Sequence, residues 1–116
     1  MPRTHASSRE ELERIQLAKL RELLAAVRPD NAFYEAKLGQ ANVDTAIESL
    51  DAFRKRCSFT TKPELAADHQ ANPPYGSNLT FPLGRYTRVH QTSGTSGAPL
   101  RWLDTPESWQ WMIDNW

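Results

Sequence analysis

Apolar residues at Leu12, Ile15, Leu20, Leu23, Leu24 and Val27 recur at spacings that line one face of a helix. Ser8-Arg9-Glu10-Glu11 in front of them forms a capping box, and Pro29 ends the run. The opposite face carries Arg9, Glu13, Arg14, Arg21 and Arg28, a pattern that reads as solvated surface. Asp30 or Asn31 is placed to cap a second short helix reaching Lys37, with Phe33, Tyr34 and Leu38 on its buried side and Gly39 positioned to end it in a left-handed conformation. Val43, Ile47, Leu50 and Phe53 then predict a short helix around Ser49 to Lys55 leading into Phe59. Thr61-Lys62-Pro63-Glu64 is a further capping box with proline in the first turn, so a helix is expected to about Gln70.

The period changes after Asn72-Pro73-Pro74-Tyr75-Gly76-Ser77, a cluster that breaks regular structure. Tyr86 to Gln91 and Leu100 to Leu103 alternate as short strands. Asp104-Thr105-Pro106-Glu107 starts a last helix with Asp104 as the capping acid, and Trp109, Met112, Ile113 and Trp116 form an apolar stripe expected to be core. The division is therefore 8–71 as a mostly helical cap, 72–85 as a loop, 86–103 as strand, loop and strand, and 104–116 as the start of a helix.

Composition narrows the field. Fourteen basic and fourteen acidic residues among 116 cancel, leaving no electrostatic footprint for nucleic acid or an anionic membrane. The single cysteine, Cys57, excludes an intrachain disulfide framework, and no Cys/His grouping has zinc-ligand spacing, so a cytoplasmic setting is the default. Cys57 itself reads as a small packed residue. Residues 1 to 8 lack an apolar signal region, and no apolar run approaches the roughly 20 residues of a membrane span.

Between the two strand-like runs lies Gln91-Thr92-Ser93-Gly94-Thr95-Ser96-Gly97-Ala98-Pro99. Gly94 and Gly97 can adopt positive φ and let backbone N–H groups converge on an anion, while four hydroxyls add donors. The lysine of one common nucleotide motif and the three glycines of another are missing. The loop resembles the Thr/Ser-Ser-Gly-Thr-Thr/Ser-Gly-x-Pro segment of the adenylate-forming (AMP-binding) enzymes. Arg88-Val89-His90-Gln91, Asn31 to Leu38, Phe59 to Leu65, Pro73-Pro74-Tyr75-Gly76 and Leu100 to Trp109 are similar to the phenylacetate-CoA ligase-like branch. One departure is that Ala98 and Leu100 flank Pro99 where many members carry a lysine, whose charge is lost or supplied by Arg101.

The resemblance implies an α/β fold: a helical N-terminal cap followed by the first strands and phosphate loop of the large N-terminal domain, incomplete because the family's adenine-binding segment, magnesium-coordinating acid and catalytic lysine fall beyond Trp116. It implies that a carboxylate attacks the α-phosphate of ATP with Mg2+ present, and that a thiol, coenzyme A, then displaces AMP. Thr92, Ser93, Gly94, Thr95, Ser96 and Gly97 are the expected holders of the β- and γ-phosphates. The implied partners are a small carboxylic acid, aromatic in this branch, and a second copy in a full-length homodimer. No catalytic residue is expected within the chain, which reads as a fragment inactive alone. The competing reading is a small helical interaction module, or an inactive remnant, whose tryptophan-rich last helix docks a partner.

His90, next to the loop, invites a general-base role. A carboxylate nucleophile is already ionised and needs no base, so orientation of the loop or strand packing is the better reading. Arg88 and Arg101 are candidate phosphate donors, and His5 and His69 read as exposed.

Overall fold

The computed structural model describes residues 8–92 and 99–116. Two compact units divide the chain between Phe59 and Thr60.

The first unit contains α1 (Arg9–Val27), α2 (Ala32–Gln40) and α3 (Leu50–Arg56). Each starts on a polar side chain that accepts a backbone N–H of the first turn: Ser8 from Glu11, Asn31 from Tyr34, and Ser49 from Ala52. Such caps satisfy N–H groups that a helix cannot pair internally. Leu24, Leu38, Val43 and Ile47 form the core, with Leu17, Leu20, Val27, Tyr34 and Phe53 packed around them. Val43 and Ile47 are withdrawn from solvent, at 0 and 1% exposure, each worth about 1.5–3 kcal/mol in transfer free energy. Leu23, expected on the buried face, is 58% exposed.

The end of α2 departs from the expectation for Gly39. That glycine is inside the helix, and Asn42 takes the left-handed conformation at φ 57°. Asn42 N–H then donates to Gly39 O at 3.2 Å and Val43 N–H to Leu38 O at 2.9 Å. This is the paired bonding of a Schellman stop, and the buried Leu38 and Val43 supply its customary apolar contact. Asparagine tolerates the left-handed region well enough for the helix to run past the glycine.

The charged face of α1 is also not all solvated. Arg21 donates twice to Ile47 O, at 3.1 and 2.7 Å, and Arg28 Nη1 donates to Val43 O at 2.6 Å. The segment around residues 43–47 lies between helices, so its carbonyls need outside donors. Arg28 also grips Glu35 with two nitrogens, at 2.7 and 3.0 Å. The guanidinium holds the Glu35 carboxyl below its ordinary range, and Glu35 in turn raises Arg28. Cys57 packs against the core as a small residue.

The second unit holds α4 (Lys62–Ala71), a single 3-10 turn (Leu83–Arg85), β1 (Arg88–Gln91), β2 (Arg101–Asp104) and α5 (Pro106–Asp114). Helix α4, capped by Thr61, is thus grouped with the strands. The strands form one antiparallel ladder with Arg88 opposite Asp104 and Gln91 opposite Arg101. Tyr86 lies ahead of the ladder, where its hydroxyl accepts the N–H groups of Thr80 and Phe81. The cap of α5 is Thr105, buried and reciprocally bonded to Ser108. Asp104, the expected cap, is the last residue of β2 and accepts from the Ser108 hydroxyl at 2.8 Å. No residue of α5 is buried: of the stripe expected to be core, Trp109 is half-buried, while Met112 and Ile113 are 37 and 50% exposed and Trp116, past the end of the helix, is 97% exposed.

Candidate functional site at the ladder mouth

The open end of the β1/β2 ladder, at Gln91 and Arg101, is where the sequence enters the hydroxyl-rich segment. Ser93, Gly94, Thr95, Ser96 and Gly97 lie outside the described residues; Thr92 and the residues from Pro99 onward are the described residues that flank them. Thr92 N–H donates to Leu100 O at 2.9 Å, and the Thr92 hydroxyl accepts Leu100 N–H at 2.9 Å. Leu100 is buried at 4% exposure. The two ends are therefore held side by side, a full hydrogen-bonded step beyond the ladder itself. The Thr92 hydroxyl keeps its own proton, so it can still donate to an anion while accepting from Leu100.

A second brace sits one residue further in. Arg101 Nε donates to the Gln91 side-chain oxygen at 3.2 Å, and its Nη1 donates to Pro74 O at 3.0 Å. The Arg101 guanidinium thus links both strands to the Pro73-Pro74 turn. Arg88 is engaged differently, with its guanidinium carbon 4.5 Å from the centre of the Trp109 ring. Such cation–π contacts are worth about 0.5–1 kcal/mol at exposed sites.

His90 stacks on the same indole, with ring centres 5.0 Å apart and planes 20° from parallel. Its Nε2 is buried and lies 3.2 Å from Asp104 Oδ2, yet no aligned hydrogen bond forms. The approach is close enough for charge attraction if the ring is protonated, but the angle is poor. Packing on Trp109 is the role this geometry supports, in line with the reading that denied His90 a base function.

His69, expected to be exposed, is half-buried. Its Nδ1 lies 2.8 Å from Leu65 O, and its Nε2 is 3.2 Å from both N and O of Arg101. Nothing in the sequence marks this contact, which joins positions 32 apart. His69, Arg101 and the two prolines of the turn also line an open cleft of about 500 Å³ beside Leu100. Among the described residues no group of three or more His, Cys, Asp or Glu side chains is placed to hold a metal ion.

No protein-family model matches the chain. Over 102 residues, 84% of its length, it is 34% identical to a phenylacetate-coenzyme A ligase of Thermus thermophilus. The chain belongs to the phenylacetate-CoA ligase-like branch of the adenylate-forming enzymes. It spans 21% of the Thermus ligase. Two crystal structures share the fold of this branch member. A 2-hydroxyisobutyryl-CoA ligase in complex with 2-HIB-AMP and CoA, in its thioesterification state, superposes with a TM-score of 0.83 at 24% identity, over 94% of this chain and 23% of that one. An open conformation of the same ligase, also with 2-HIB-AMP and CoA, gives 0.82 at 21% identity over 99% and 28%. Identity at this level carries the fold alone. Among the described residues, no helix is long and apolar enough to cross a membrane.

Proposed function

We propose that this chain is the N-terminal part of an ATP-dependent acid–thiol ligase and supplies its phosphate-binding loop. The observation that carries the reading is the cinched ladder mouth. Thr92 and Leu100 hold together the ends of a segment made almost wholly of hydroxyl and glycine residues, in a relative of CoA ligases. In the reaction, a carboxylate oxygen bonds to the α-phosphorus of ATP as the bond to the β-phosphate oxygen breaks and pyrophosphate leaves. The sulfur of coenzyme A, its thiol proton released to solvent, then bonds to the acyl carbon and AMP departs with the electron pair of the broken C–O bond. Hydroxyls of Thr92, Ser93, Thr95 and Ser96 and the backbone N–H groups of Gly94 to Gly97 hold the β- and γ-phosphates. Their contribution is positioning and neutralisation of the charge that gathers on the leaving pyrophosphate. Arg101 is already committed to Gln91 and Pro74, so its contribution is to brace the mouth.

The same reading assigns adenine contacts, magnesium and the reacting centre to other parts of the enzyme, which would also cover the open stripe of α5. It takes an aromatic acid as substrate, a homodimer as the full-length assembly and the cytoplasm as location. Calorimetric titration of the 116-residue chain tests the loop assignment: ATP and pyrophosphate bind, and AMP, which lacks both terminal phosphates, does not. AMP binding as tightly as ATP would overturn it. In the presence of aryl carboxylates the chain alone catalyses no ATP–pyrophosphate exchange, and sustained exchange would show that the missing groups are not needed.

A further inference from the structure

We propose that His69 is a positioning residue, which as its Nδ1–H tautomer ties helix α4 to the start of β2 and so fixes both ends of the hydroxyl-rich segment. The effect we assign it on nucleotide affinity rests on the phosphate-loop reading above; the tie itself does not.

A carbonyl oxygen only accepts, so the 2.8 Å contact between His69 Nδ1 and Leu65 O places the proton on Nδ1. A neutral ring then presents a lone pair at Nε2, and the partner that can use it is Arg101 N–H, 3.2 Å away. The Arg101 carbonyl, at the same distance, meets no proton in this tautomer. Helix α4 thereby reaches the backbone of a strand 32 residues later.

Position 101 is where three other restraints converge. Its side chain bonds Gln91 at the end of β1 and Pro74 in the turn after α4. Its neighbour Leu100 is buried and doubly bonded to Thr92. Fixing the Arg101 backbone therefore fixes Leu100, and through it Thr92, the two residues between which the segment is strung. Gly76 leaves the ring its room: a Cβ there would stand 3.1 Å from Nδ1 and 3.2 Å from Cε1 of His69. A histidine that merely filled space would need neither nitrogen directed at a backbone group.

Two amide replacements separate the tie from packing. In His69→Asn the shorter side chain can keep a donor near Leu65 O but cannot reach Arg101. In His69→Gln the longer one can place an acceptor at the Arg101 N–H. Long-range 1H–15N spectra of the wild-type 116-residue chain are expected to show a proton on His69 Nδ1 and none on Nε2; a proton on Nε2 would overturn the proposal. Amide resonances of Thr92, Leu100 and Arg101 are expected to move in His69→Asn and to stay near wild type in His69→Gln, whereas equal movement in both refutes the tie. Titration with Mg-ATP is expected to show binding weakened roughly tenfold in His69→Asn and within about threefold of wild type in His69→Gln, the order of effect that small misplacement of binding groups produces. If the tautomer and amide results hold while wild type binds no ATP, the tie stands and the phosphate-loop reading fails.

Discussion

Replacing Gly76 by alanine is expected to destabilise the second unit more than its small size suggests. Gly76 sits at φ 76°, and an added Cβ would lie 2.5 Å from Asp68 Oδ2. That oxygen is not a free side-chain end, because it accepts Ser77 N–H at 2.7 Å while its partner oxygen accepts the Ser77 hydroxyl and the Asn72 amide. The left-handed backbone costs an L-residue about 1–2 kcal/mol. Pushing a carboxylate off its hydrogen bonds costs about 1.5–3 kcal/mol more. Since the chain relaxes in part, the sum should fall near 2–4 kcal/mol, and each kcal/mol lowers the melting temperature of a domain this small by about 4–8 °C. Urea unfolding followed by tryptophan fluorescence reads the right unit, because all four tryptophans lie at or beyond Trp102. Gly84→Ala is the control: a Cβ there meets nothing within 4 Å, so a change within about 0.5 kcal/mol is expected. If the two variants unfold at the same urea concentration, the bridge from Asp68 to Ser77 around Gly76 does not have the geometry described.

Gly39→Ala is expected to act in the opposite direction, raising stability by up to about 0.5–1 kcal/mol, because the site is helical and the new Cβ makes only a 3.6 Å contact with Arg28; a lower melting temperature would return the helix stop to Gly39. The Arg28–Glu35 pair predicts an acid response confined to the first unit. Glu35 is held below its ordinary value of 4.5 chiefly by its hydrogen bonds to Arg28, so its stabilising effect is complete above that value and fades as pH falls through the lowered one. Wild type is therefore expected to exceed Glu35→Gln in urea midpoint at pH 7, with the gap closing in acid; a gap that is independent of pH contradicts the pairing.

Local signals carried most of the fold. Ser8, Asn31, Ser49 and Thr61 cap helices because a short polar side chain ahead of an amphipathic run has one favourable use, and that is readable without tertiary contacts. Gly39 misled because two residues within three positions can take the left-handed stop, and burial of Val43 against Leu38 selects Asn42. Asp104 and Thr105 are both good caps, and strand pairing of Asp104 with Arg88 decides between them. Arg21, Arg28 and His69 read as exposed side chains but are engaged, for one shared reason. Each serves a backbone group 15 or more residues away, and helical periodicity reports only which face a side chain is on. The run of hydroxyl and glycine residues from Thr92 to Gly97 is plain in the sequence, while the brace that joins Thr92, Leu100, Arg101 and His69 is not.

The claim that everything else depends on is that the segment after Thr92 receives the terminal phosphates of a nucleotide. Its most direct measurement is the backbone amide spectrum of the 15N-labelled chain during titration with ATP. The account predicts saturable shifts concentrated at residues 92–97, reproduced by pyrophosphate and absent with AMP. Resonances of those residues that remain in place up to millimolar ATP, or shifts gathered elsewhere in the chain, would contradict it.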